Sequence, residues 1–361
     1  MTKLYAFGSN GCGQLGIGNE NDTANPEQCL ITSYSTERGI KQVAAGGNHT
    51  LVLGENYHVE AFGSNAAGQC GTSRELEEER DHVAVPFCLK GVVPLDERSL
   101  SITQISATWT ASICLDNNGK LHVAGQDLSD EHVEEDVRVG RTTWTIPNFP
   151  PHGTIVRQIS SSVTHTVAVL SNGEVWGWGK GRKGQLGQPA EDIRSPRKLE
   201  GLEFPVIKAA CGKDFTCVVG EKIGGQIALI GACGKDRFGV KSNVPKEVPH
   251  WKDVTASWGS VYVLFEDGRI LAWGRDDHGQ LPPPGLPPIE ALAAGSEHCI
   301  ALTKAGKVLA WGWGEHGNCG ERTDHNGDVK GRWNEINLNG SVKAVFAGCA
   351  TSFIVTNNQV D

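Results

Sequence analysis

The chain has 361 residues, 46 of them glycine, with ten tryptophans and a single methionine, a composition of tight turns and β structure rather than of helical bundles. A formal charge of -9 and the lack of a Lys/Arg-rich tail oppose non-specific adhesion to nucleic acid. No basic segment followed by an apolar stretch opens the sequence, so it reads as a soluble intracellular protein, and its eleven scattered cysteines read as buried thiols rather than a disulfide framework.

The first predicted element is the strand "LYAFGSN", which runs into "GSNGCGQLG" from Gly8. That motif returns in chain order as "GSNAAGQCG" from Gly63, a degenerate "GQDLSD" from Gly125, "GKGRKGQLG" from Gly179, "GACGKDRFG" from Gly231, "GRDDHGQLP" from Gly274 and "GWGEHGNCG" from Gly312. Seven copies spaced irregularly around roughly fifty residues fall in the range of propeller blades.

A second element precedes each later copy. It runs "VAAGGNHTLVL" from Val43, "ISATWTASICL" from Ile105, "ISSSVTHTVAV" from Ile159, "AACGKDFTCVV" from Ala209, "VTASWGSVYVL" from Val254 and "LAAGSEHCIAL" from Leu292, and "VFAGCATSFIV" from Val345 closes the chain. Turn signals such as Asn118-Gly119, Asn172-Gly173 and Asp267-Gly268 separate the two elements, which predicts antiparallel hairpins. The chain begins on the later half of a unit and ends on the earlier half, so pairing of the terminal strands completes one blade and removes two sheet edges. The expectation is an all-β, seven-bladed β-propeller forming a single domain over residues 1–361.

Two intervals are swollen: "RELEEERDHVAVPFCLKGVVPLDERS" and the stretch from Gln126 to Gly153, read as surface excursions between strands. The Pro-rich "LPPPGLPPIE" reads as a short rigid connector.

These repeats resemble the regulator-of-chromosome-condensation family of propellers, which combines an A-x-G-x-x-H-[ST] strand with a W-G-x-N-x-x-G-Q-L-G segment, and the resemblance covers essentially the whole chain. Aligning the copies decides the role of single residues. In "GWGEHGNCG", His316 and Cys319 sit close enough to raise a metal question. Cys319 shares its slot with Leu15, Leu186, Leu281, Phe238 and Cys70 and reads as blade packing, while His316 shares a mixed slot with His278, Lys183, Lys235 and Cys12 and reads as a loop tip. No complementary cluster offers the four convergent ligands of a zinc site. The histidine slot holds His49, Ala111, His165, Phe215, Ser260, His298 and Thr351, read as a buried imidazole bonded within its own blade. Trp178, Trp273 and Trp311 read as blade packing. No reaction motif appears, so no catalytic residue, cofactor or metal site is expected.

The residue after the glycine slot is Gly47, Trp109, Val163, Lys213, Trp258, Ser296 or Cys349. Two tryptophans at loop tips mark either an interface anchor or an indole folded back over a neighbouring blade. The candidate partner surface is therefore Trp109 and Trp258, with Lys213, Asp214, Phe215, Glu297 and His298 around them and Trp313, Glu315 and His316 on the other loop type. Lys180, Arg182 and Lys183 form a basic loop nearby.

The stretches "YAFGSNG", "GGNHT", "GKDF", "GSEH", "WGWGEHGNCG" and "GCATSFIV" further resemble a fungal branch of the family, the alpha-tubulin-suppressor or killer-toxin-insensitivity group. That resemblance implies a non-catalytic, cytoplasmic and nuclear propeller in a heterodimer with the small CSL-type zinc-binding protein of diphthamide synthesis, an iron-binding electron carrier. It also implies roles in diphthamide formation on elongation factor two and in Elongator-dependent wobble uridine modification of transfer RNA. The alternative, from the founding member, is a guanine-nucleotide exchange factor for a small nuclear GTPase.

Overall fold

The protein is seen in a computed structural model that describes residues 2–31, 39–71, 85–86, 101–126, 143–232, 234 and 236–357. Seven antiparallel sheets account for all the strands, and no helix occurs among the described residues. Numbered by their innermost strands, the blades start at Ile40–Ala45, Ile102–Ala107, Val156–Ser161, Lys208–Cys211, Trp251–Ala256, Ile289–Ala294 and Ser341–Ala347. Each of these strands packs on the next, and the seventh returns to the first. The result is a closed seven-bladed propeller.

The second strand of each blade is covered by neighbouring blades on both faces. His49–Gly54, Ala111–Asp116, His165–Leu170 and His298–Thr303 are buried along their whole length. This is why runs such as "ICL" from Ile113 and "VAVL" from Val167 are continuously apolar rather than alternating. The core is shared between blades: Val123 of blade two, Val167 and Trp178 of blade three and Val218 of blade four belong to one cluster. Trp178, Trp273 and Trp311 are all buried, and the indoles of the last two donate to Val240 O (2.9 Å) and Gln280 O (3.0 Å).

Blade seven is completed by the N-terminus. Thr2–Gly8 pairs with Thr351–Asn357 in unbroken register, from Thr2 opposite Asn357 to Gly8 opposite Thr351, and Thr23–Gln28 adds the outer strand.

A second seam was not legible in the repeat. The inner strands of blades one, two and three carry bulges just before Gln42, Gln104 and Gln158, and a bulge re-aims the side chain beside it. Each amide then bonds twice to the next inner strand. Gln42 spans both groups of Ile105 (2.8 and 3.1 Å), Gln104 takes Arg157 O and Ile159 N–H (2.6 and 3.2 Å), and Gln158 spans both groups of Ala209 (2.8 Å each).

The two swollen intervals are more than excursions. Val85–Pro86 and Thr143–Thr145 pair as the outer strands of blades one and two; the remainder of the first interval, and residues 127–142 of the second, lie outside the described residues. Among the described residues blades four and five have three strands each. In blade five the third strand and its loop are followed by the Pro-rich connector, whose prolines have no N–H to donate to a ladder, and its Leu281 and Leu286 pack on the core.

Candidate functional site

Both loop types lie on one rim, because the strands carrying them are antiparallel partners: His49 faces Gly63, His165 faces Gly179 and His298 faces Gly312. The two loops are stitched together in every blade. The residues after the motif glycines, from Ser9 and Ser64 through to Arg275 and Trp313, donate N–H to the carbonyls of Ala350, Asn48, Thr110, Thr164, Asp214, Gly259 and Glu297 at 2.8–3.0 Å. The glycine is needed for this approach. All seven have φ between +93° and +119°, and a Cβ on any of them would lie 2.2–2.7 Å from the accepting carbonyl.

The histidines below the rim bond across blades, which corrects the within-blade expectation. His49 Nε2 meets Ser112 Oγ (3.0 Å), His165 Nε2 meets Thr216 Oγ1 (3.1 Å) and His298 Nε2 meets Ser352 Oγ (2.9 Å), in each case on the next blade. Those hydroxyls already donate to the carbonyls of Gln69, Gln185 and Asn318. The imidazoles are therefore the donors, through Nε2–H, and their buried Nδ1 atoms have no partner. Burial pushes all three down to a pKa of about 4, so they are neutral structural donors at neutral pH. The small residue at the glycine slot makes room for the ring: a Cβ on Gly46 or Gly295 would sit 2.4 or 2.3 Å from the Cε1 of His49 or His298. Where the slot residue is small, as at Ala111 and Ser260, Thr108 and Ser257 replace the glycine and accept the backbone N–H of that residue.

At the centre of the rim the loop tips form two arcs of backbone hydrogen bonds. Gly47 N–H reaches Trp109 O and Trp109 N–H reaches Val163 O; Lys213 N–H reaches Trp258 O, Trp258 N–H reaches Ser296 O, and Ser296 N–H reaches Gly348 O and Cys349 O. Trp109 and Trp258, from blades two and five, meet across this mouth with ring centroids 5.8 Å apart. They roof a vestibule of about 120 Å³. Trp109 also lies on Gly47, where a Cβ would come within 2.8 Å of its ring. The indoles fold inward onto each other, and Trp109 remains 39% exposed.

Lys213, Asp214, Trp258 and Glu297 line one cleft beside this mouth, with Phe215 at its floor. Glu297 is only 4% exposed and bonds to Arg275 and to Gln280 (2.7 Å); burial outweighs these partners and raises its pKa. Phe215 (2% exposed) and His298 (fully buried) fill blade interiors, which removes His298 from any contact surface. Trp313, Glu315 and His316 stand on a separate part of the rim. There Trp313 is flanked by His316 (5.7 Å) and His278 (6.0 Å), and each histidine bonds a carboxylate at 2.9 Å, Asp22 and Asp328 respectively. Cys319 is buried with its Sγ on Trp313 O, and burial pushes its thiol well up. Sequence reasoning missed Arg237 and Arg275 and read Phe238 as blade packing; all three complete the cleft.

The sequence profile of the RCC1-like domain matches residues 3–355. An RCC1 repeat-containing protein of Schizosaccharomyces pombe is 31% identical over 98% of both chains. The secretion-regulating guanine nucleotide exchange factor of Mus musculus is 25% identical over 80% of this chain and 64% of its own length. Among solved structures, Prp20p from Saccharomyces cerevisiae superposes with a TM-score of 0.78 at 20% identity, covering 100% of this chain and 92% of that one.

Proposed function

Because the chain belongs to the RCC1-like family of seven-bladed propellers, we propose that it is a non-catalytic interaction protein that holds one partner over its tryptophan-closed rim. The observation that carries this reading is the indole pair at the mouth, with Trp109 open to solvent at the point where all seven blades converge. A rigid, half-exposed aromatic at the centre of a polar rim has the properties of an interface hot spot.

The partner that the sequence favours is the small CSL-type zinc protein of diphthamide synthesis. Its support is the set of stretches shared with the alpha-tubulin-suppressor group, which include the rim segments "GKDF", "GSEH" and "WGWGEHGNCG". In this heterodimer iron and zinc belong to the partner, and the propeller positions or regulates it for diphthamide formation on elongation factor two and for Elongator-dependent wobble uridine modification, in cytoplasm and nucleus. The test is titration of the purified small zinc protein with this chain and with Trp109→Ala and Trp258→Ala. Binding that weakens by about 2 kcal/mol in either variant supports the footprint; unchanged affinity in both refutes it.

A second reading is favoured by the murine relative, which is described as a guanine nucleotide exchange factor. On that reading the same rim binds a small GTPase and accelerates nucleotide release. Loss of labelled GDP from a loaded small nuclear GTPase, faster with this chain than without it, would support this reading over the first.

A further inference from the structure

The cleft between blades four and five inverts the sign of the molecule. The chain carries a formal charge of -9, yet Lys183, Lys213 and Arg237 face this cavity of about 420 Å³ with no carboxylate in ion-pair range among the described residues. Two carboxylates of the lining have partners of their own. Asp236 accepts the backbone N–H groups of Lys241 (3.2 Å) and Ser242 (2.7 Å), and Glu297 holds Arg275 and Gln280. Asp214, exposed at the edge, and Asp236, whose neutral backbone donors leave its charge in place, are two carboxylates against the three cations.

The cations are also positioned. Lys213 Nζ sits 4.9 Å from the centre of the Trp258 ring, and Arg237 and Arg275 sit 5.0 and 5.3 Å from that of Phe238. Arg275 is further held by Asp277 and Glu297. Aromatic faces fix where the charged heads rest, so an incoming anion meets a pre-placed row of donors.

We propose that this cleft receives an extended acidic segment of a protein partner, whose Asp and Glu side chains pair with Lys213, Arg237 and Lys183 in succession. The proposal deepens the interaction reading above and rests on it. The chemistry favours this ligand over a nucleotide: Lys213 lies against Trp258, and Arg237 and Arg275 lie against Phe238, so a base stacking on either ring competes with those cations. Asp214 and Asp236 in the lining also disfavour the concentrated charge of a polyphosphate, whereas carboxylates spaced along a peptide can alternate past them. Charge complementarity of this local kind raises association rate and fixes register, and it lets an acidic propeller bind an acidic protein.

The test uses the full chain and a fluorescein-labelled peptide of alternating glutamate and glycine, read by fluorescence anisotropy at low salt. The expected result is saturable binding that falls as salt rises, is absent for the glutamine counterpart, and weakens at least tenfold in Lys213→Glu/Arg237→Glu. Lys183→Glu on its exposed loop, a second variant that keeps the cleft intact, should weaken it as well. Lys120→Glu, in a hairpin turn away from this rim, makes the same single charge change and should bind as the parent does. Equal weakening by Lys120→Glu, no effect of the cleft variants, or no peptide binding at all overturns the proposal. So does inorganic triphosphate displacing the peptide at far lower concentration than free glutamate peptide does. Pull-down of the small zinc protein separates the two levels of the account: capture retained by Lys213→Glu/Arg237→Glu sinks the cleft and spares the interaction disc. Peptide binding without zinc-protein capture spares the cleft and sinks that partner.

Discussion

Mild acid should loosen the ring through three histidines. His49, His165 and His298 have a folded pKa of about 4 against 6.5 for the free side chain, through burial. Between these values the unfolded chain binds protons that the folded chain refuses, so stability falls as pH falls. The contribution is whole above pH 6.5 and is lost progressively toward pH 4. At pH 5 the linkage relation gives about 2 kcal/mol for each group and about 6 kcal/mol for the three, comparable to the whole stability of many domains. Protonation also places a second N–H at each buried Nδ1, which has nothing to donate to. Glu297, whose pKa is raised by burial, works in the opposite direction as a single carboxyl. The assay is urea unfolding followed by tryptophan fluorescence at pH 7.5 and 5.0, repeated on His165→Ala, which copies the filler at Ala111. The parent should lose several kcal/mol between the two pH values, and the variant about 2 kcal/mol less. An unfolding free energy that is flat from pH 7.5 to 5, or a decrement unchanged in His165→Ala, would refute the reasoning.

Other outcomes follow from the same contacts. Gly312→Ala should destabilise the fold by about 3 kcal/mol, because φ is +104° and the new Cβ would lie 2.6 Å from Glu297 O, an amount typical of forced backbone strain; Gly119→Ala, with open space around it, should cost less, and equal losses would count against the stitched-rim account. At the alkaline end, burial raises Cys114, Cys211, Cys217 and Cys299 from 9.0 to about 12. Their contribution is present below pH 9 and is lost as pH rises toward 12, since only the unfolded chain ionises there. Unfolding midpoints at pH 8 and 10 check this, and a higher midpoint at pH 10 would contradict it.

The ring and its closure were legible because each repeat writes its strand, turn and glycine into local sequence. Contacts between blades were not. The alignment locates His49 in a slot but carries no sign of Ser112 beside it, so the imidazole was assigned to its own blade when its partner lies on the next. Gln42, Gln104 and Gln158 recur at one position of the inner strand, yet only the bulge that turns them sideways shows their purpose. The shared rim could have been inferred from the hairpins, since antiparallel partners put both loops at one end. Trp109 and Trp258 could be singled out as misplaced aromatics, but their meeting depends on the diameter of the mouth. Arg237 was missed because "GACGKDRFG" departs from the shared motif around it, Phe238 because its slot reads as blade packing, and Arg275 because the repeat assigns its position no side-chain role.

The central claim is that the tryptophan-closed rim is a binding surface for the small CSL-type zinc protein. Calorimetric titration of the two purified chains tests it directly. The account predicts a one-to-one complex that Trp109→Ala weakens about thirtyfold, the equivalent of about 2 kcal/mol. Absence of binding, or a complex indifferent to both Trp109→Ala and Trp258→Ala, would contradict it.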